Sequence, residues 1–167
     1  MDAKVLVLKS LEQSQGYLTS ALDGLTQEES AWKPGIECNN IAFILWHIAR
    51  VEDFFVNRLV RRQKEINETG GFQERLGTPV KAFGLTLDEL KAWPVPKLDD
   101  LRAYAKAVRD STLAFLSAVP SEKLDEVPRP DRSPDSIGAS LGHMATEIAL
   151  HVGQICYLRG LQRGLDK

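Results

Sequence analysis

The chain has 167 residues, enough for one domain over 1–167 with a core that needs no disulfide staples. Its composition is 43% hydrophobic and 26% charged, with a formal net charge of −2, which is ordinary for a soluble protein. That balance gives no electrostatic ground for a nucleic-acid partner, because a backbone-binding surface concentrates lysine and arginine.

The opening residues MDAKVLVLKSLEQ hold no long apolar run. No segment approaches the roughly 20 apolar residues of a membrane span, so no membrane partner is expected. Cys38 and Cys156 lie far apart and form no CxxC. Without a signal peptide they read as reduced thiols, which makes a cytoplasmic location the expectation.

Val5, Leu8, Leu11, Leu18 and Leu22 recur at helical spacing and predict a first helix over about 3–21. Thr26-Gln27-Glu28-Glu29 has the pattern of a capping box, opening a short turn that Pro34-Gly35 ends. Asn39 or Asn40 then caps a second long helix. Its apolar positions Ile41, Ile44, Leu45, Ile48, Val51, Phe55 and Leu59 carry it to about Arg62. The short basic run Arg58-Leu59-Val60-Arg61-Arg62 sits among acids and suits the negative end of a helix.

Residues 64–97 are punctuated by Gly70, Gly71, Gly77, Pro79, Gly84, Pro94 and Pro96. One short helix is expected there, from Thr86 to Trp93, with Thr86 and Glu89 as a second capping box. So long a connection permits the helices on either side of it to run parallel. A third long helix is predicted over about 98–119, stopped by Pro120, and a fourth from near Ser136 toward Gly160. Almost nothing alternates with a β period. The fold class is therefore all-α, a four-helix bundle with a long crossover between helices 2 and 3.

The chain has three histidines, and all lie in predicted long helices. His143 and His151 flank Glu147 at four-residue spacing in GHMATEIALHVGQICYLRG, which puts imidazole, carboxylate and imidazole on one stripe. His47 lies in NNIAFILWHIARVEDFF. Unpaired imidazoles among apolar neighbours cost solvation, and this donor set suits Zn²⁺, Fe²⁺, Ni²⁺ or Mn²⁺ better than Mg²⁺ or Ca²⁺.

His143 and His151 are eight residues apart, so their backbones stand roughly 12 Å apart and share one ion only awkwardly. With helices 2 and 3 parallel, helices 2 and 4 run antiparallel, and His47 meets the later half of helix 4. That favours His47, Glu147 and His151 as metal ligands. It leaves His143 to a supporting position, a pocket wall or packing. Arg50, three residues after His47, could hold an anionic substrate group as a catalytic residue, or pair with Asp53 or a neighbour as a solvated side chain. Glu52 could serve as a base or as surface charge. Trp32, Trp46 and Trp93 could line a pocket, though large aromatics in a bundle are more often core. There is no P-loop, GxGxxG or Ser/His/Asp pattern.

WKPGIECNNIAFILWHIARVEDFF followed by HMATEIALHVGQICYLRG resembles the DinB/YfiT-like superfamily of four-helix metalloenzymes. The resemblance extends over essentially the whole chain and includes Gly153-Gln154-Ile155. It implies a divalent metal, zinc or nickel, held by one histidine of helix 2 and an i, i+4 pair of helix 4. Most members carry histidine where this chain has Glu147. The mycothiol-dependent maleylpyruvate isomerases look similar at this point, with a His, Glu, His set that falls on His47, Glu147 and His151.

The resemblance further implies a small-molecule substrate, a low-molecular-weight thiol cofactor used for transfer or isomerisation, and a homodimer. Metal-dependent hydrolysis is the neighbouring alternative. A non-enzymatic dimeric helical protein, with its metal structural or absent, is the alternative of a different class.

Overall fold

Helix starts in this chain are written into short polar motifs, and the computed structural model, which describes residues 3–81 and 83–164, shows them at work. Helix α1 spans Ala3–Leu22. The Thr26 hydroxyl accepts from Glu29 N while Glu29 accepts from Thr26 N, closing a capping box on α2 (Gln27–Ala31). Asn40, rather than Asn39, caps α3 (Ile41–Asp53), its Oδ1 accepting from Phe43 N at 2.8 Å.

The second long helix does not stay α-helical to Arg62 as its periodicity predicts. From Phe54 to Val60 it winds as a π-helix, and Arg61 N donates to Val56 O five residues back. Arg62 then takes a positive φ of 57°, and Gln63 N reaches back to Asn57 O. Apolar spacing alone does not separate three or four residues per turn from the wider winding.

The crossover is more ordered than its glycines and prolines suggest. It holds α4 (Ile66–Thr69) and α5 (Phe72–Leu76) as well as the expected short helix, α6 (Leu87–Lys91), with its Thr86/Glu89 box. The first two are too short to show a period. Helix α7 covers Leu98–Ala118, a 3₁₀ turn follows at Ser121–Asp125, and α8 runs Ile137–Arg163 from a Ser136 cap. All regular structure among the described residues is helical, and none of these helices is long and apolar enough to cross a membrane.

Side-chain contacts fix the register. His47 faces His151 and Phe55 faces His143, so α3 and α8 are antiparallel. Asp53 meets Tyr104 and Asn57 meets Ser111, so α3 and α7 are parallel, as the long crossover allows. Lys4 donates to Val119 O and Arg102 to Leu22 O, which sets α1 antiparallel to α7. The core between these helices contains Leu11, Leu45, Trp46, Tyr104, Leu116, Met144 and Ile155, all fully buried.

A buried carboxylate fastens the crossover to the bundle. Asp53 is wholly buried and accepts four hydrogen bonds, from Asn57 Nδ2, Ile66 N, Asn67 N and Tyr104 Oη, at 2.8 to 2.9 Å. Two of those donors are the first backbone N–H groups of α4, so α3 supplies the cap that α4 lacks in its own sequence. Burial, reinforced by the Asp53 charge, raises the Tyr104 phenol far above its ordinary pKa and keeps it a donor.

Candidate metal centre

The antiparallel α3/α8 seam brings together residues a hundred positions apart. His47, Glu147 and His151 each offer one donor atom, and these atoms all lie within 4.8 Å of one another. The three side chains are half-buried. A Zn–N bond of about 2.1 Å places tetrahedral neighbours roughly 3.4 Å apart, so the three donor atoms would draw closer together around a bound ion.

Each ligand is held by neighbours. His151 Nδ1 donates to Gln154 Oε1 at 3.0 Å, which leaves Nε2 on the side of Glu147, 3.5 Å from its Oε2. An imidazole fixed through its other nitrogen is how metal-binding histidines are usually oriented. Phe43 lies flat against His47, with ring centroids 6.2 Å apart and planes within 10°. Phe43 is in turn backed by Trp46 and Trp93. The buried tryptophans therefore buttress the ligand from the core, while half-exposed Trp32 stands apart from the ligands' hollows.

His143 lies outside the cluster. Its side chain is largely exposed, its ring stacks on Phe55 at 5.2 Å, and its Nε2 is 3.9 Å from Glu147 Oε1. It is part of the wall and a neighbour of the carboxylate.

Three hollows meet at the ligands. One of 320 Å³, between His47 and Glu147, is walled by Val51, Phe54, Phe55, Phe83 and His143. A second of 270 Å³, between His47 and His151, lies under Phe83 with Phe43, Leu85 and Leu90. The third and widest, 680 Å³ between Glu147 and His151, is edged by Asn39, Gln154, Tyr157 and Cys38. Each ligand borders two of the three.

Two expected residues do other work. Arg50 lies outside the hollows at the triad and is not a solvated partner of Asp53. It is buried, paired with Glu65, and donates through Nη2 to Val80 O at 3.0 Å. An i+3 spacing from His47 fixes only an approximate direction, and the crossover packs Glu65 against that side of α3. Glu52 is buried too, in a two-pronged pair with Arg109 at 2.7 and 2.9 Å, so it is not free to act as a base.

Sequence reasoning missed Phe54, Phe83 and the role of Gln154. The Gln154 position was readable, one turn after His151. Phe83 lies in a stretch with no period, and Phe54 depends on the π-winding, so neither left a signal.

Helical bundle and ligand triad together define a class, the four-helix proteins with a half-buried His, Glu, His centre of the kind that suits a divalent metal. The family model described as DinB superfamily matches residues 10–155, and the chain belongs to that superfamily. No curated protein matches it. Among solved structures, a conserved protein from Enterococcus faecalis has the same fold, with a TM-score of 0.85 at 20% identity over 99% of each chain. Superfamily membership and the triad fit a metal-dependent enzyme.

Proposed function

We propose that this protein is a metal-dependent enzyme in which His47, Glu147 and His151 hold a divalent ion, zinc or nickel, and that it uses a low-molecular-weight thiol for transfer or isomerisation. The observation that carries the reading is the convergence of two imidazoles and one carboxylate within 4.8 Å at the junction of three hollows. Three protein ligands leave coordination positions open, as catalytic sites do. A bound divalent ion supplies a positive centre that lowers the pKa of a thiol or water and stabilises developing negative charge.

The chain's own residues prepare that centre. Glu147 offsets one of the ion's charges, and Gln154 keeps the His151 proton on Nδ1 so that Nε2 is free to bind. Phe54, Phe55 and Phe83 give one side of the ligands an apolar lining. His143 Nε2, at the rim beside Glu147, is placed to take the proton of an incoming thiol. The wide, open hollow beside Glu147 and His151 supports hydrolysis as the second reading, because it admits water to the same ligands.

The test is elemental analysis of purified protein after incubation with Zn²⁺, Ni²⁺ and Mn²⁺, beside His47→Ala and Glu147→Ala. Stoichiometric metal in the wild type and its loss in both variants is the expected result. A wild type that stays metal-free refutes the reading. Metal whose removal unfolds the protein and which admits no exogenous thiol points instead to a structural ion.

A further inference from the structure

The hollow between His47 and Glu147 lacks the cationic character that Arg50 was expected to give it. Its walls are Val51 and the rings of Phe54, Phe55 and Phe83, and its polar groups are the two ligands and His143. No lysine or arginine among the described residues lines it. The nearest cation along α3, Arg50, is turned away to Glu65 and the Val80 carbonyl. With the metal's open position taken by the reactive atom, a carboxylate, sulfonate or phosphate elsewhere on the molecule would lose its water against phenyl rings with no lysine or arginine in return.

The rings form a connected wall. Phe54 meets Phe55 edge-on at 5.6 Å and Phe83 at a steep angle at 5.3 Å. Phe83 also stands edge-on to His47 at 5.9 Å, dividing this hollow from the one above Phe43, Leu85 and Leu90. Such edge-to-face sets accept a further aromatic ring at little cost. An apolar cavity with a few convergent polar groups is the usual form of a small-molecule site.

We infer that the substrate of this centre carries an uncharged apolar group, best an aromatic ring, which seats among Phe54, Phe55 and Phe83 while its reactive atom faces His47 and Glu147. The assignment rests on the metal-centre reading and adds to it the class of molecule bound.

Cobalt-loaded protein separates the two. Its d–d absorption reports the metal on its ligands, and thiolate-to-metal charge transfer reports a bound thiol. Benzyl mercaptan, mercaptoethanol and mercaptoethanesulfonate present the same sulfur with an aromatic, a neutral polar and an anionic appendage. Benzyl mercaptan should bind at least about tenfold more tightly than the sulfonate, a gap of about 1.4 kcal/mol. Phe54→Ala and Phe83→Ala should each narrow the gap, and Phe83→Arg, at a half-exposed position, should reverse it. Equal or tighter binding of the sulfonate to wild type overturns the assignment while leaving the metal centre standing, as does an order indifferent to all three variants. Absence of the d–d bands overturns the metal reading itself, and this assignment with it.

Discussion

Gln154 Oε1 accepts a hydrogen bond from His151 Nδ1 across 3.0 Å, one turn farther along α8. The amide thus selects the tautomer whose Nε2 lone pair faces Glu147. Replacing it by alanine frees the ring to rotate and removes the preference. Gln154→Ala should weaken metal binding by roughly 10- to 100-fold, read by competition with a chromophoric chelator, with an unchanged helical circular dichroism spectrum. Unchanged affinity would mean that packing alone orients the ring.

The Arg50–Glu65 pair is a strut between α3 and the crossover, both side chains being less than a tenth exposed. Arg50→Met strands the Glu65 charge with only half-exposed Arg58 nearby and should destabilise the fold by about 3–5 kcal/mol in urea unfolding. Adding Glu65→Leu should recover most of that loss, because the pair's attraction largely offsets its own desolvation. A double variant as unstable as the single one would show that the Val80 carbonyl contact matters more.

Asp53 serves four donors at once, so its loss is felt in three elements. Asp53→Ala leaves the Tyr104 hydroxyl and two α4 amides buried without an acceptor, and should cost about 3 kcal/mol or more. Tyr104→Phe removes one donor and leaves the carboxylate three others, so about 1–2 kcal/mol is expected. Hydrogen exchange should show residues 66–69 losing protection in Asp53→Ala before the long helices do.

Glu29 gives a pH signature. Thr26 N–H first, then Arg163 and Arg159, hold its carboxyl down to about 2 from an ordinary 4.5. A folded-state value below the unfolded one favours the folded state fully above pH 4.5 and loses that advantage as pH falls toward 2. The melting-temperature difference between wild type and Glu29→Gln should therefore be steady near neutrality and shrink between pH 4.5 and 2. A constant difference across that window would show that the carboxyl titrates normally.

The candidate triad was legible in the sequence because helices impose a period and the chain is poor in histidine. The i, i+4 stripe placed Glu147 beside His151, helix rise demoted His143, and the long crossover gave the antiparallel register that brings His47 across. Arg50 and Glu52 were misjudged because their partners, Glu65 and Arg109, come from elements whose packing no local pattern reveals. Phe83 shows the same limit, since a side chain in an aperiodic segment acquires a role only through what the segment is tied to. Here the tie is Arg50 to Val80, three residues before Phe83.

The π-wound stretch from Phe54 to Val60 bears on any attempt to move this centre elsewhere. A designer grafting His47, Glu147 and His151 onto an idealised bundle would copy three ligands and straighten the helix beside them. The regular version closes its hydrogen bonds over four residues rather than five and would not turn Phe54 and Phe55 toward the same opening in the same way. Such a graft would keep the three candidate ligands and would have discarded the turn that sets Phe54 and Phe55 beside them. In this protein the ligands are the portable part and the irregular turn is the local one.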